Sequence, residues 1–477
     1  MRVALALSVL VGFLVVAVGL VLGPAVLVVR AFAEGHGGAG AVGLGVVAAL
    51  VALAIGRVVL AAVRVGPEPP GVPVTREAQP ELWRVVDELA AVAGTRAPDA
   101  VRLVPEVTAA VRERTPLSGL RGGERHLVVG LPLLAGLSVG GLRSVLAHEL
   151  GHHGGHPRLS ATAYRAKDAL RLTAARLDGV PGWLFGQFAR FYAVLAGPAN
   201  REQELRADRA SVAAAGRDTA QAALRAIGPL SVAWAHFDQE LLALVPDAGR
   251  TPPVLAGFRA FLGDAEVRER LAAIGVRMLD EESGSVFDSH PAVRERIAAM
   301  EAVPAGDAAT DDRPSWSLLD HVPELERELV RDAGPAADWP EVFALGHAAR
   351  AERMASVLAD AARTSGTAER GTADEVLAAL GRGELLRLGE PLIAAGAPAD
   401  QLVATATRLL GGAVVAELLR AGRASIALDW SGEPRVVLAD GTGLDVDGLV
   451  APAVADPRRA EGARLRVASL CDRTLTD

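Results

Sequence analysis

Residues Val145–Arg158 read VLAHELGHHGGHPR and hold four of the chain's ten histidines, with a glutamate between two of them. Leu142, Val145, Leu146 and Leu150 recur at helical spacing behind Ser138, a residue type that caps helix N-termini. Gly154 and Gly155, followed by Pro157, should end that helix. His148 and His152 then stand one turn apart on the same face. Two imidazoles so placed can bind one zinc ion, and Glu149 beside them can act as general base on a zinc-activated water. The bland alternative is a chance HExxH, which is rare in a chain so poor in histidine.

The third ligand decides the subclass. A metzincin needs HExxHxxGxxH; Gly155 supplies the glycine, but the last position is Arg158 and His156 falls two residues early. A gluzincin instead takes a glutamate from a later helix, often as ExxxD. ANREQELRADRAS contains Glu204 and Asp208 at that spacing, so both share a helical face. Glu204 could complete the zinc shell while Asp208 accepts a hydrogen bond from the far nitrogen of a ligand histidine, His148 being the nearer choice. Glu202 is the rival, but it would point about 200° away around the helix. A solvated helix face would be the ordinary reading of either carboxylate alone. His153 and His156 read as surface or groove residues.

VLAHELGHH, then FARFYAVLAGPANREQELRADRAS, then DSHPAVRERIAAM at Asp288–Met300 resemble, in that order, HtpX-like and CAAX-prenyl-protease-like membrane metallopeptidases. The resemblance spans about residues 75–300 and implies a gluzincin-type zinc endopeptidase with membrane helices. Carried over residue by residue, it makes His148, His152 and Glu204 the ligands of one Zn2+ and Glu149 the catalytic base. His290 resembles the family's His-Pro, as a contact to substrate or to the tetrahedral intermediate. Alternatively, Ser289 or His290 only caps a helix with Pro291 at its first position. The chain departs from the pattern where VTAAV replaces an Asn-Ala-Phe-like element. It also departs where GWLFGQFARFYAVLAG, interrupted by Arg190, reads as a buried or groove-lining helix rather than a span.

These groups need a scaffold. DAVRLV, VTAAVRER and RHLVVG read as short strands with a turn at Gly122-Gly123, forming a small sheet ahead of the HExxH helix. Arg125–Gly130 is either the edge that pairs with an extended substrate or an interior strand. The expected class is α+β and mostly helical, with a zincin-type domain over 75–302. The stretch 303–314 reads as a linker, and 315–477 as an accessory domain. In that last part, Glu341–Ala361, Ala373–Ala394 and Asp400–Arg420 read as helices, and ASIALDW, PRVVLAD and GLDVDGLV as strands. His347 reads as a solvated residue.

Upstream, Val3–Val29 holds no charge and exceeds the roughly 20 residues a helix needs to cross a bilayer. A second apolar run follows from about residue 40 to Val63. Residues 1–64 therefore read as a transmembrane hairpin, with 65–74, rich in Pro and Gly, as a stiff linker. A signal peptide is the alternative, since AFA at Ala31–Ala33 resembles a cleavage site. Arg2, Arg57, Arg64 and Arg76 flank the hairpin on its outer ends, which favours a cytoplasmic catalytic domain. Net charge is −8, which argues against a nucleic-acid partner. The single cysteine, Cys471, excludes an intrachain disulfide and a Cys-based zinc cage.

The combined expectation is a two-span, zinc-dependent endopeptidase acting on proteins or peptides, membrane proteins among them, with membrane-protein quality control as a setting. Two alternatives stay open: a regulatory protease with a C-terminal sensor, and a non-catalytic zinc-binding membrane scaffold.

Overall fold

The computed structural model describes residues 2–35, 38–40, 42–43, 45–46, 49, 68–114, 123–154, 179–282, 291–304, 310–329, 333–394 and 398–472. The described chain is mainly helical, with a four-stranded and a two-stranded sheet. It divides into two compact units, one of residues 1–231 with 270–322, the other of 232–269 with 323–477.

The first unit opens with α1 (Arg2–Ala33), an unbroken 32-residue helix. Most of the second apolar run lies outside the described residues. A four-stranded sheet follows, built from β1 (Val72–Val74), β2 (Ala100–Val104), β3 (Ala109–Arg114) and β4 (Glu124–Gly130), in the order β1-β2-β4-β3. β2 and β4 run parallel, and the outer pairs are antiparallel. β4 is therefore an interior strand, and the edge on its side of the sheet belongs to β3. Its burial pattern agrees, with Leu127–Gly130 fully covered. Val72–Val74, at the end of the stretch expected to be a linker, is instead a strand paired to β2. Pro73 is tolerated because β1 lies at the sheet's edge, where a missing N–H leaves no partner unsatisfied.

α2 (Pro80–Val92) buries Leu82, Trp83, Val85, Val86 and Leu89. α3 (Leu131–Gly136) leads into α4 (Val139–Gly151), the HExxH helix. Ser138 caps α4 as its sequence position suggests, its Oγ accepting from the Gly141 N–H at 3.1 Å. The supposed linker before residue 315 also reaches this end. Val139 N donates to the Arg313 carbonyl at 2.7 Å and Gly140 N to that of Asp311 at 2.8 Å. Free N–H groups at a helix start are satisfied in this way.

α5 (Gly179–Ala215) runs 37 residues and packs against both α4 and α1. In its first half Tyr192 is buried, whereas Trp183, Phe191 and Val194 are exposed. α6 (Arg217–His236), α7 (Ala265–Glu281) and α8 (Val293–Glu301) follow. Ile297 and Met300 of α8 form a small core with Val212, Ala220 and Leu224.

The second unit is built around helices Trp339–Thr364, Ala373–Gly381 and Ala399–Arg420. The first and last are near the expected ranges, but the expected helix Ala373–Ala394 is broken after Gly381, with Gly383 at positive φ and a short helix Leu385–Gly389 following. Ala399–Arg420 has the length and hydropathy of a membrane span. Its apolar residues Leu409, Leu410, Val414 and Leu418 are nevertheless buried in this unit's core, so they are spent on packing. Ala424–Ala427 and Arg435–Leu438 form an antiparallel hairpin. GLDVDGLV is not a third strand. Asp445 accepts from the Gly448 N–H and starts the helix Val446–Ala455, a local cap overriding the alternating pattern. His347 is buried against Phe343 rather than solvated.

Candidate metal centre

α4 and α5 lie side by side and bring the sequence-selected residues together. The Nε2 atoms of His148 and His152 are 3.1 Å apart, with the rings edge-on at 4.7 Å. Glu204 Oε2 lies 3.6 Å from His148 Nε2, and Glu204 Oε1 lies 3.6 Å from His152 Nε2. Zinc bonded tetrahedrally at roughly 2.0–2.1 Å from N and O ligands spaces them about 3.3 Å apart. The separation of the two imidazole nitrogens matches that spacing, and the two histidine–carboxylate separations, one to each Glu204 oxygen, lie close to it. The donor set of two imidazoles and one carboxylate suits the ion. His148 and Glu204 are buried, at 6% and 1% exposure. Two imidazole nitrogens and a carboxylate facing one another in so dry a place favour a bound cation over an empty nest. Glu202, the rival ligand, is exposed.

Asp208 sits one turn beyond Glu204, its Oδ1 3.0 Å from His148 Nδ1. That contact turns His148 Nε2 toward His152 and Glu204. A residue the sequence reading did not single out completes the cluster. Arg296, on α8, reaches back to Asp208, with Nη2 2.6 Å from Oδ1 and Nε 3.1 Å from Oδ2. Burial pushes the Asp208 carboxyl up, but the hydrogen bonds and charges of His148 and Arg296 outweigh it and hold Asp208 below the ordinary carboxylate range. Burial opposes the Arg296 charge as well, and Asp208, Glu204 and Glu149 more than compensate.

Beside this cluster lies a cavity of about 680 Å³. His148, Glu149 and Arg296 line it together with Val107–Ala109 at the start of β3 and the apolar Val145, Leu224, Ile227 and Met300. Glu149 is thus placed where a group entering the cavity would meet it. Pro291 and Ala292 also line the cavity. His290 lies outside the described residues, as do Ser289, His156 and Arg158. The helix expected to begin with Pro291 starts instead at Val293, with Ala292 at its N-cap. Its cap comes from Glu282, whose carboxylate accepts from the N–H groups of Val293 at 2.8 Å and Arg294 at 3.4 Å.

A His-His-Glu nest on two packed helices, opening on a cleft beside a small sheet, is the arrangement of a metallopeptidase. Residues 76–303 match the model of Peptidase family M48, which supports a metallopeptidase of that family. No curated protein and no solved structure matches the chain.

Proposed function

We propose that the protein is a membrane-anchored, zinc-dependent endopeptidase with Glu149 as its general base. The observation that carries this reading is the triangle of 3.1, 3.6 and 3.6 Å among His148, His152 and Glu204. Zinc held there supplies a Lewis acid that polarises the scissile carbonyl and makes water nucleophilic near neutral pH. Glu149 takes the proton from the attacking water and delivers it to the leaving amine. Asp208 holds His148 in the tautomer that leaves Nε2 as a ligand.

β3 is the surface that suits an extended substrate. It is the sheet edge nearer the site, and Val107–Ala109 at its start line the cavity with Glu149. A peptide added along β3 would present its scissile bond toward Glu149, with the apolar wall of Val145, Leu224 and Met300 receiving an apolar side chain. α1 supports the membrane anchor. Its 32 residues would run roughly 48 Å at 1.5 Å per residue, beyond the ~30 Å hydrocarbon core. Val15, Leu22, Val26, Leu27 and Phe32 on it are exposed. Placement of the catalytic unit in the cytoplasm and a part in membrane-protein quality control complete the reading.

The test is cleavage of casein by the detergent-solubilised full chain. Activity should vanish with a zinc chelator, return with zinc, and be abolished by Glu149→Gln while zinc stays bound. Full activity in Glu149→Gln would refute the mechanism.

A further inference from the structure

Arg296 is only 8% exposed, whereas most arginines among the described residues are at the surface. An arginine is placed in so dry a position only with partners, and here its fork is spent on one carboxylate, that of Asp208. The same Nη2 lies 3.1 and 3.3 Å from the two ring nitrogens of His148. One nitrogen cannot hydrogen-bond both, because their lone pairs diverge in the ring plane. The guanidinium nitrogen therefore lies over the ring face, and His148 Nδ1 keeps Asp208 as its in-plane partner.

We propose that Arg296 is a positioning residue for the metal ligand His148, acting through Asp208. This rests on the zinc-site reading given above. The fork contact fixes the plane of the Asp208 carboxylate, which a lone hydrogen bond to His148 would leave free to rotate. With that plane fixed, Oδ1 stays opposite Nδ1, and the ring is held between the carboxylate at one edge and the guanidinium on its face. His148 Nε2 is then aimed at Glu204 and His152. Charge points the same way. Glu149, Glu204 and Asp208 bring three carboxylates together, and a divalent ion balances two of them. Arg296 supplies the remaining positive charge, paired with Asp208.

α8 is anchored as this role requires. Glu282 caps its N-terminus. Gln221 Nε2 donates to the Ile297 carbonyl at 3.1 Å, and Arg217 Nη2 donates to the Val303 carbonyl at 2.7 Å. Arg296 thus projects from a helix fixed at both ends and along one side.

The experiment is zinc affinity, measured by chelator competition on the detergent-solubilised full chain, with thermal unfolding in parallel. Partners outside the ligand shell commonly contribute about 10–100-fold in metal affinity, and Arg296→Met should lose zinc affinity in that range. Arg296→Lys, which keeps the charge but loses the fork, should fall between Arg296→Met and the unmodified chain. A merely structural ion pair would lower the melting temperature and leave the folded protein's zinc affinity alone. Unchanged affinity in folded Arg296→Met would overturn the proposal. Should Arg296→Met fail to fold, Arg296→Lys decides: weakened zinc binding supports the role and unchanged binding overturns it. If the unmodified chain binds no zinc, the metallopeptidase reading falls, and this proposal with it.

Discussion

The proposed metal centre depends on how closely α4 approaches α5, and one glycine lies at that approach. A Cβ built on Gly151 would lie 3.0 Å from Ala207 Cα and 3.2 Å from Ala210 Cβ. Ordinary carbon contacts are about 3.5–4.0 Å, so alanine at this position is short of space by roughly 0.5 Å or more. The obstacle is backbone, and it belongs to the helix that carries Glu204 and Asp208 on either side of Ala207. A shift of that size taken up by α5 would stretch the two 3.6 Å histidine–carboxylate separations to about 4.1 Å. Metal–ligand distances tolerate about 0.2 Å, so the triangle would no longer close around zinc. Stability responds differently. Alanine in place of a helical glycine gains up to about 1 kcal/mol, while overpacking costs ~1–3 kcal/mol, so with the full gain the net loss is about 0–2 kcal/mol. Gly151→Ala should therefore melt within a few degrees of the unmodified chain yet bind zinc at least about tenfold more weakly, equivalent to roughly 1.4 kcal/mol. Gly151→Val should lose more of both. Chelator competition on the solubilised chain and thermal unfolding of its metal-free form give the two readings. Unchanged zinc affinity in both variants would show that this contact does not set the ligand spacing, and the argument would fail.

Two further outcomes follow from the same geometry and burial. Glu204→Ala should lower zinc occupancy far more than Glu202→Ala, because Glu204 is buried in the triangle while Glu202 is exposed; metal analysis of the purified variants checks this, and the reverse ranking would refute the ligand assignment. His347 is pushed down from 6.5 to about 4 by burial, with the nearby Arg350 charge adding to the effect. Its unfolded form therefore takes up a proton first as pH falls, so its contribution is intact above pH 6.5 and is lost on the way down to pH 4. At pH 5 the loss is roughly 2 kcal/mol, and denaturation followed by tryptophan fluorescence should show a smaller drop between pH 7 and 5 in His347→Gln. Equal pH dependence in both chains would contradict it.

What the sequence made legible was local. Ser138 as a cap, His148 and His152 on one face, and Glu204 with Asp208 a turn apart all follow from the fixed 3.6-residue period, which needs no knowledge of the rest of the fold. Arg296 was hidden because its meaning is tertiary. It meets Asp208 across 88 residues, and although it lies in the DSHPAVRERIAAM stretch that carries the family resemblance, helical spacing gives it no partner there. The sheet shows the same division. Three strands were readable from their β-prone runs, but their order was not, so the choice between edge and interior for Arg125–Gly130 needed the pairing of β4 with both β2 and β3. β1 is three residues long and contains Pro73, too short and too irregular to carry a period.

The unit boundaries were illegible for a related reason. Phe237, Phe258 and Phe261 lie within the segment that matches the peptidase family, yet they pack against one another and, through Phe237, edge-on against Trp339 in the second unit's core. Apolar residues announce in a sequence that they will be buried and leave open against what. A metal site differs because its chemistry restricts the partners in advance: two histidines at i and i+4 require a third donor, and few side chains can supply one. That restriction let Glu204 be singled out fifty-two residues beyond His152, while the buried cation behind Asp208, under no such restriction, had to wait for the fold.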